Sequence, residues 1–101
     1  MYTINRTETF TAWLAGLKDL KARAKIVIRL RQAGQGNFGD VKPISEGVWE
    51  MRIHFGPGYR VYYAREGRVI YLLLNGGDKS TQKRDIKAAI AIWKQIQEEQ
   101  P

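Results

Sequence analysis

Two arginines, a histidine and a tyrosine occupy alternate positions of two neighbouring segments: Arg52, His54, Arg60 and Tyr62. Arginine binds phosphate through two parallel hydrogen bonds, and histidine exchanges its proton near neutrality. Metal-free RNA cleavage needs a group that takes the 2′-hydroxyl proton, cations that stabilise the phosphorane, and an acid that protonates the departing 5′-oxygen. The residue types allow this chemistry, although the solvent-exposed face of a sheet can carry the same pattern by chance.

The expected strand register gathers these side chains. Residues 48–55 and 59–65 alternate in polarity like half-buried strands, joined by the loop Gly56-Pro57-Gly58. If Phe55 pairs with Tyr59, His54 lies opposite Arg60, and Arg52 lies opposite Tyr62. Paired side chains share a face, and the opposite face is then the apolar core. It is made of Trp49, Met51, Ile53, Phe55, Val61 and Tyr63.

Further candidates extend this patch. A two-residue turn at Glu66-Gly67 would bring Tyr71 beside Tyr62, and both rings could stack on unpaired bases. Lys79 follows the glycine-rich stretch 75–78, which we expect to be a flexible loop that delivers this cation to a phosphate. We also assign Lys83 and Arg84 to RNA binding.

The elements that must position these residues predict an α+β fold. A strand at 2–5 is followed by two helices, capped by Thr7 and Asp19, that form an N-terminal helical hairpin. We expect the second helix to bury Leu20, Ala24, Val27, Ile28 and Leu30. An antiparallel β-meander follows, with strands at 41–44, 48–55, 59–65 and 68–74. The C-terminal helix, with Ser80 as its cap, buries Ile86, Ala89, Ile90, Trp93 and Ile96.

Composition limits the class of protein. The 101 residues predict a single domain over 1–101. The chain has no cysteine and one histidine, which excludes disulfides and thiolate or histidine-cluster metal sites, and we expect no cofactor. We expect a cytoplasmic protein with no membrane partner, because no signal segment or long apolar run is visible. The net charge of +7 favours a polyanionic or acidic partner, although a solvated cationic surface has the same composition.

Four segments carry a resemblance to a known family. They are Trp49–Ile53, Gly58–Tyr63, Leu73–Ser80 and the pair Asp85-Ile86. With the order of elements, they resemble the RelE/ParE toxin superfamily over nearly the whole chain, and specifically its HigB-like "addiction module killer" branch.

The resemblance implies a toxin of a type II toxin–antitoxin module, neutralised by a cognate helix-turn-helix antitoxin. RelE-like and HigB-like toxins cleave mRNA on the ribosome, using basic residues of the equivalent strands. Arg52, His54 and Arg60 match those strand positions, and Lys79 matches a further cation of the family. The resemblance thus implies a metal-independent endoribonuclease whose partner is ribosome-bound mRNA.

One departure from the family leaves alternatives open. RelE-type enzymes transfer a proton through a tyrosine near the end of the chain, whereas this chain has no tyrosine after Tyr71. Asp85 or Lys83 is a candidate substitute, and we include Asp85 among the catalytic residues. A ParE-like inhibitor of DNA gyrase, or an inactive homologue that only binds its antitoxin, would need no nuclease residues.

Overall fold

A five-stranded mixed sheet lies between helices on its two faces. The computed structural model describes residues 1–100, so the last residue of the predicted 1–101 domain lies outside it. The elements are β1 (Thr3–Arg6), α1 (Glu8–Ala15), α2 (Leu20–Gly34), β2 (Val41–Ser45), β3 (Val48–Ile53), β4 (Tyr59–Arg65), β5 (Ile70–Asp78), a 3-10 turn (Lys79–Thr81) and α3 (Gln82–Glu99). The predicted α+β class and order of elements are confirmed.

The sheet has the strand order β1-β5-β4-β3-β2. Strands β2 to β5 form the expected antiparallel meander, whereas β1 pairs in parallel with β5. The sheet is therefore mixed rather than purely antiparallel, and β5 is covered on both edges and both faces. This position explains the nearly continuous apolar run of β5.

Local capping begins the two N-terminal helices where the sequence predicts. Thr7 Oγ1 accepts the Phe10 amide at 3.0 Å, and Asp19 Oδ1 accepts the amides of Lys21 and Ala22 at 3.0 and 3.2 Å. Both helices pack on the sheet face that carries Met51, Ile53, Val61 and Tyr63. The predicted core face of β3 and β4 is confirmed for Met51, Ile53, Val61 and Tyr63, whereas Trp49 is 37% exposed and Phe55 lies in the loop after β3.

The predicted buried side of α2 is wrong except for Leu30. Ala22, Ile26, Leu30 and Ala33 face the core, while Leu20, Ala24, Val27 and Ile28 are exposed. The helix has apolar residues on both sides, so helical periodicity alone does not decide which side packs against the sheet. Arg29 then helps to fix the choice, because its guanidinium donates to the carbonyls of Arg52 and Phe38 at 2.5 and 3.0 Å.

The glycine-rich stretch is strand rather than flexible loop. Asn75, Gly76, Gly77 and Asp78 continue β5 and pair with β4. The predicted Ser80 cap is also wrong: the Asp78 side chain accepts the Ser80 amide at 2.8 Å and begins the 3-10 turn that leads into α3. Glycines that predict a loop from sequence are here needed for close packing.

Replacing Gly76 with alanine tests this placement. The added Cβ would overlap the Trp13 ring, so we expect the free energy of unfolding to fall by about 2 kcal/mol. Gly67→Ala is the matched control, because a Cβ added there would meet no atom within 4 Å. Urea unfolding of both variants measures the difference. Equal stability of the two variants would contradict the strand assignment.

Candidate functional site

Arg52 and Arg60 lie directly opposite each other on β3 and β4, and one buried carboxylate joins them. Glu50 Oε1 lies 3.0 Å from Arg52 Nε, and its Oε2 lies 3.5 Å from Arg60 Nε. Gln82 Nε2, at the start of α3, donates to the same Oε2 at 3.0 Å. Like charges opposite each other destabilise a sheet, so Glu50 is what allows the two guanidinium groups to stand together.

The observed register differs from the predicted one by two residues. Ile53 rather than Phe55 pairs with Tyr59, because β3 ends at Ile53 and residues 54–58 form the hairpin loop. Arg52 therefore lies opposite Arg60 instead of Tyr62, and His54 lies beyond the end of the strand. A shift by an even number keeps every side chain on its predicted face, which is why the two arginines still share a face.

Glu50 is fully buried, and sequence reasoning did not single it out. Burial by itself raises the pKa of a carboxyl group. Hydrogen bonds from Arg52 and Gln82, together with the charge of Arg60, outweigh burial and hold the pKa of Glu50 below its ordinary value. The residue is therefore an ionised carboxylate at neutral pH. The only signal in the sequence was its position on the same strand face as the arginines.

His54 pairs with a carboxylate of its own, Asp40. Its Nε2 lies 2.6 Å from Asp40 Oδ2, and the imidazole is 73% exposed. The hydrogen bond with His54 lowers the pKa of Asp40. A carboxylate in this position orients the imidazole and leaves Nδ1 for another group. Asp40 is thus a second residue of the site that the sequence did not indicate.

A hollow beside the β3–β4 loop brings three of the predicted residues to one surface. His54, Arg60 and Lys79 line it, with loop residues 55–58 between them. A second hollow, lined by residues 79–84, shares Lys79 and adds Lys83 and Arg84. These two hollows form one cationic surface that runs from the hairpin loop to the start of α3. We call it the basic surface.

Neither of the two predicted RNA-stacking tyrosines lies on the basic surface. Tyr62 is fully buried beneath α3, and burial, followed by the charge of nearby Glu50, raises its pKa. Tyr71 lies on the other face of the sheet, packed against Phe38 at 4.7 Å between ring centroids. The turn before β5 causes the change of face: Arg65 pairs with Tyr71 rather than with Arg68, and a shift of three residues exchanges the two faces.

Asp85 is buried under the basic surface rather than exposed on it. Its Oδ2 accepts the Thr81 hydroxyl at 2.5 Å, and its backbone carbonyl accepts from Asn75 Nδ2 at 3.0 Å. A Cβ on Gly77 would collide with this carboxylate, so the glycine makes room for it. These contacts fasten the first turn of α3 to β5, and they give Asp85 a structural task.

Within residues 1–100, the structure contains neither a candidate metal site nor a helix that could span a membrane. No group of three or more histidine, aspartate or glutamate side chains comes together there as candidate metal ligands. Over the same residues, no helix combines the length and apolar character that crossing a membrane requires.

Solved structures define the class of fold. The chain superimposes on the crystal structure of the isolated Escherichia coli RelE toxin with a TM-score of 0.62 and 13% sequence identity, over 86% of this chain and 97% of that one. It also matches a chain of the intact E. coli RelBE toxin–antitoxin complex with a TM-score of 0.60 and 13% identity, over 77% and 96%. The predicted RelE-like fold is confirmed.

The family is shown by sequence. Residues 12–97 match the family described as "Phage derived protein Gp49-like", and the chain belongs to this family. It is also 51% identical over 93 residues to a Haemophilus influenzae Rd protein described as uncharacterized, covering 92% of this chain and 94% of that protein.

Proposed function

We propose that the protein is a HigB-like toxin of a type II toxin–antitoxin module that cleaves ribosome-bound mRNA without a metal ion. The single observation that carries the proposal is the pair of guanidinium groups of Arg52 and Arg60, held together by Glu50 at the edge of the basic surface. Two neighbouring guanidinium groups repel each other, and this arrangement favours the binding of an anionic ligand. The RelE-like fold and the family membership support the same function.

The proposed reaction divides the work among few residues. The His54 imidazole, oriented by Asp40, takes the 2′-hydroxyl proton as the 2′-oxygen bonds to phosphorus. Arg52 and Arg60 stabilise the added charge on the phosphorane oxygens. The bond from phosphorus to the 5′-oxygen then breaks, and Lys79 is a proton donor in the same hollow. The products are a 2′,3′-cyclic phosphate and a 5′-hydroxyl end.

The remaining cations bind substrate in this proposal. Lys83 and Arg84 are exposed and stand next to Lys79 in the second hollow, where they would contact backbone phosphates. Exposed cations of this kind contribute binding and positioning rather than sequence preference. A cognate helix-turn-helix antitoxin, encoded beside the toxin, is the proposed partner that neutralises the protein.

Mapping transcript 5′ ends after brief induction of the chain tests the proposal. We expect growth arrest and new 5′-hydroxyl ends within translated messages, and we expect these ends to disappear when translation initiation is blocked. Induction of a DNA-damage response without new ends would instead indicate a ParE-like gyrase inhibitor. Normal growth without either signal would indicate an inactive homologue that only binds its antitoxin.

A further inference from the structure

The outer face of α2 carries an apolar stripe that the fold does not cover. Leu20 is 70% exposed, Ile28 51% and Val27 40%, and Ala24 is exposed between them. With 100° of rotation per residue, these four positions fall on one side of the helix. We call them the α2 stripe.

Folding does not require this stripe. The opposite side of α2 already fills the core with Ala22, Ile26, Leu30 and Ala33, and Arg29 anchors the helix to β3 and to the loop before β2. Contiguous apolar side chains on a well-anchored surface helix are typical of an interaction site. The α2 stripe is therefore a surface that the protein presents to something else.

The charges around the stripe indicate the chemistry of the partner. Helix α2 contains five basic residues and no acidic one: Lys21, Arg23, Lys25, Arg29 and Arg31. Arg29 points inward, whereas Lys21, Lys25 and Arg31 are exposed. The helical positions of Lys21 and Lys25 place them along one margin of the stripe, and Arg31 lies at the C-terminal end of the stripe, one turn beyond Val27. An apolar stripe with a cationic margin is complementary to an amphipathic helix with acidic flanks.

A groove extends the stripe toward the edge of the sheet. Ile4 and Arg6 of β1, the edge strand, line it together with Val27, Leu30 and Arg31 of α2. Val27 belongs to both the stripe and the groove, so a partner segment can continue from the stripe into the groove. The groove repeats the same composition, with apolar side chains between two arginines.

We infer that the α2 stripe and this groove bind an acidic amphipathic helix of the antitoxin, on a surface distinct from the basic surface. The inference rests on the proposed function, because the partner is identified as an antitoxin only through it. A second copy of the chain is disfavoured because each copy carries a net charge of +7 and would present the same cationic margin. RNA is disfavoured because it gains little from Leu20 and Ile28, which are the most exposed side chains of the stripe.

Ile28→Glu tests the inference, with Val69→Glu as the control. Both side chains are 51% exposed, but Val69 lies in the turn between β4 and β5, past the C-terminal end of α2 and outside both the stripe and the groove. The probe is the purified protein encoded by the gene adjacent to the toxin gene, titrated calorimetrically. We expect Ile28→Glu to weaken binding at least ~10-fold and Val69→Glu to leave it within ~2-fold of the parent. Ile28→Glu alone should arrest growth as the parent does, and the antitoxin should no longer relieve that arrest.

Three results would overturn the inference. Equal affinity of the two variants for the antitoxin would show that the stripe is not part of the interface. Loss of growth arrest by Ile28→Glu, with its fold intact, would assign the stripe to the RNA or ribosomal target. Self-association of the parent that Ile28→Glu abolishes would assign it to a second copy. Failure of the parent to arrest growth would contradict the proposed function. The difference in affinity between Ile28→Glu and Val69→Glu would still show whether the α2 stripe binds the partner.

Discussion

Arg60→Ala is expected to abolish growth arrest and to lower mRNA cleavage by about 100- to 1000-fold, which is the usual effect of removing a group that stabilises transition-state charge. Arg60 lies opposite Arg52 and lines the hollow that also contains His54 and Lys79. Its side chain is only 13% exposed. A guanidinium this buried has few orientations open to it before a phosphate arrives, so its loss removes positioned charge rather than diffuse attraction.

Two features separate a catalytic effect from unfolding in this test. In Arg60→Ala, Glu50 keeps its contacts with Arg52 and Gln82, so we expect the variant to fold. Arg65→Ala is the control, because it removes the same charge from the exposed end of the same strand. Transcript 5′-end mapping and thermal unfolding are measured on both. A folded Arg60→Ala variant that remains as toxic as Arg65→Ala would refute the catalytic role.

Local sequence signals predicted the starts of the two N-terminal helices and the faces of β3 and β4. Thr7 and Asp19 cap their helices through hydrogen bonds to residues two or three positions away, so no distant part of the chain decides them. The faces of β3 and β4 follow from alternation alone. They remained correct although the pairing of Arg52 was predicted with the wrong residue, since an even shift in register does not exchange faces.

The errors in the side of α2 and in the glycine-rich stretch depend on contacts between distant segments, whereas the error in Tyr71 begins in a turn. Tyr71 changes face because the turn before β5 is longer than two residues and shifts its pairing with β4 by three, an odd number. The packed side of α2 was chosen by the sheet and by Arg29, since both sides of the helix are apolar. Gly76 and Gly77 were predicted to be a loop because their need to admit Trp13 and Asp85 is visible only in three dimensions.

In the candidate site, too, local features could be predicted from the sequence and contacts between distant residues could not. The arginines could be predicted because their residue type and strand face are both written in the sequence. Glu50 and Asp40 could not, because a carboxylate becomes part of a site only through the partner that it meets. Asp40 is 14 residues from His54, and Gln82 is 32 residues from Glu50. Such pairs arise from the tertiary fold and leave no spacing to recognise.

Glu50→Gln is expected to lower the free energy of unfolding at pH 7 by about 3 kcal/mol, because it leaves two close guanidinium groups without their buried counter-charge. The effect should depend on pH in a definite direction. The pKa of Glu50 in the folded protein is below its ordinary value of 4.5, so its stabilisation is complete above that pH and is lost as the pH falls through the folded-state pKa. The stabilities of parent and variant should therefore converge in acid.

Urea unfolding at several pH values measures this convergence, with Glu98→Gln as an exposed control that should stay within about 0.5 kcal/mol of the parent. A loss that stays constant from pH 7 down to strong acid would mean that the charge of Glu50 is not what holds the two arginines together.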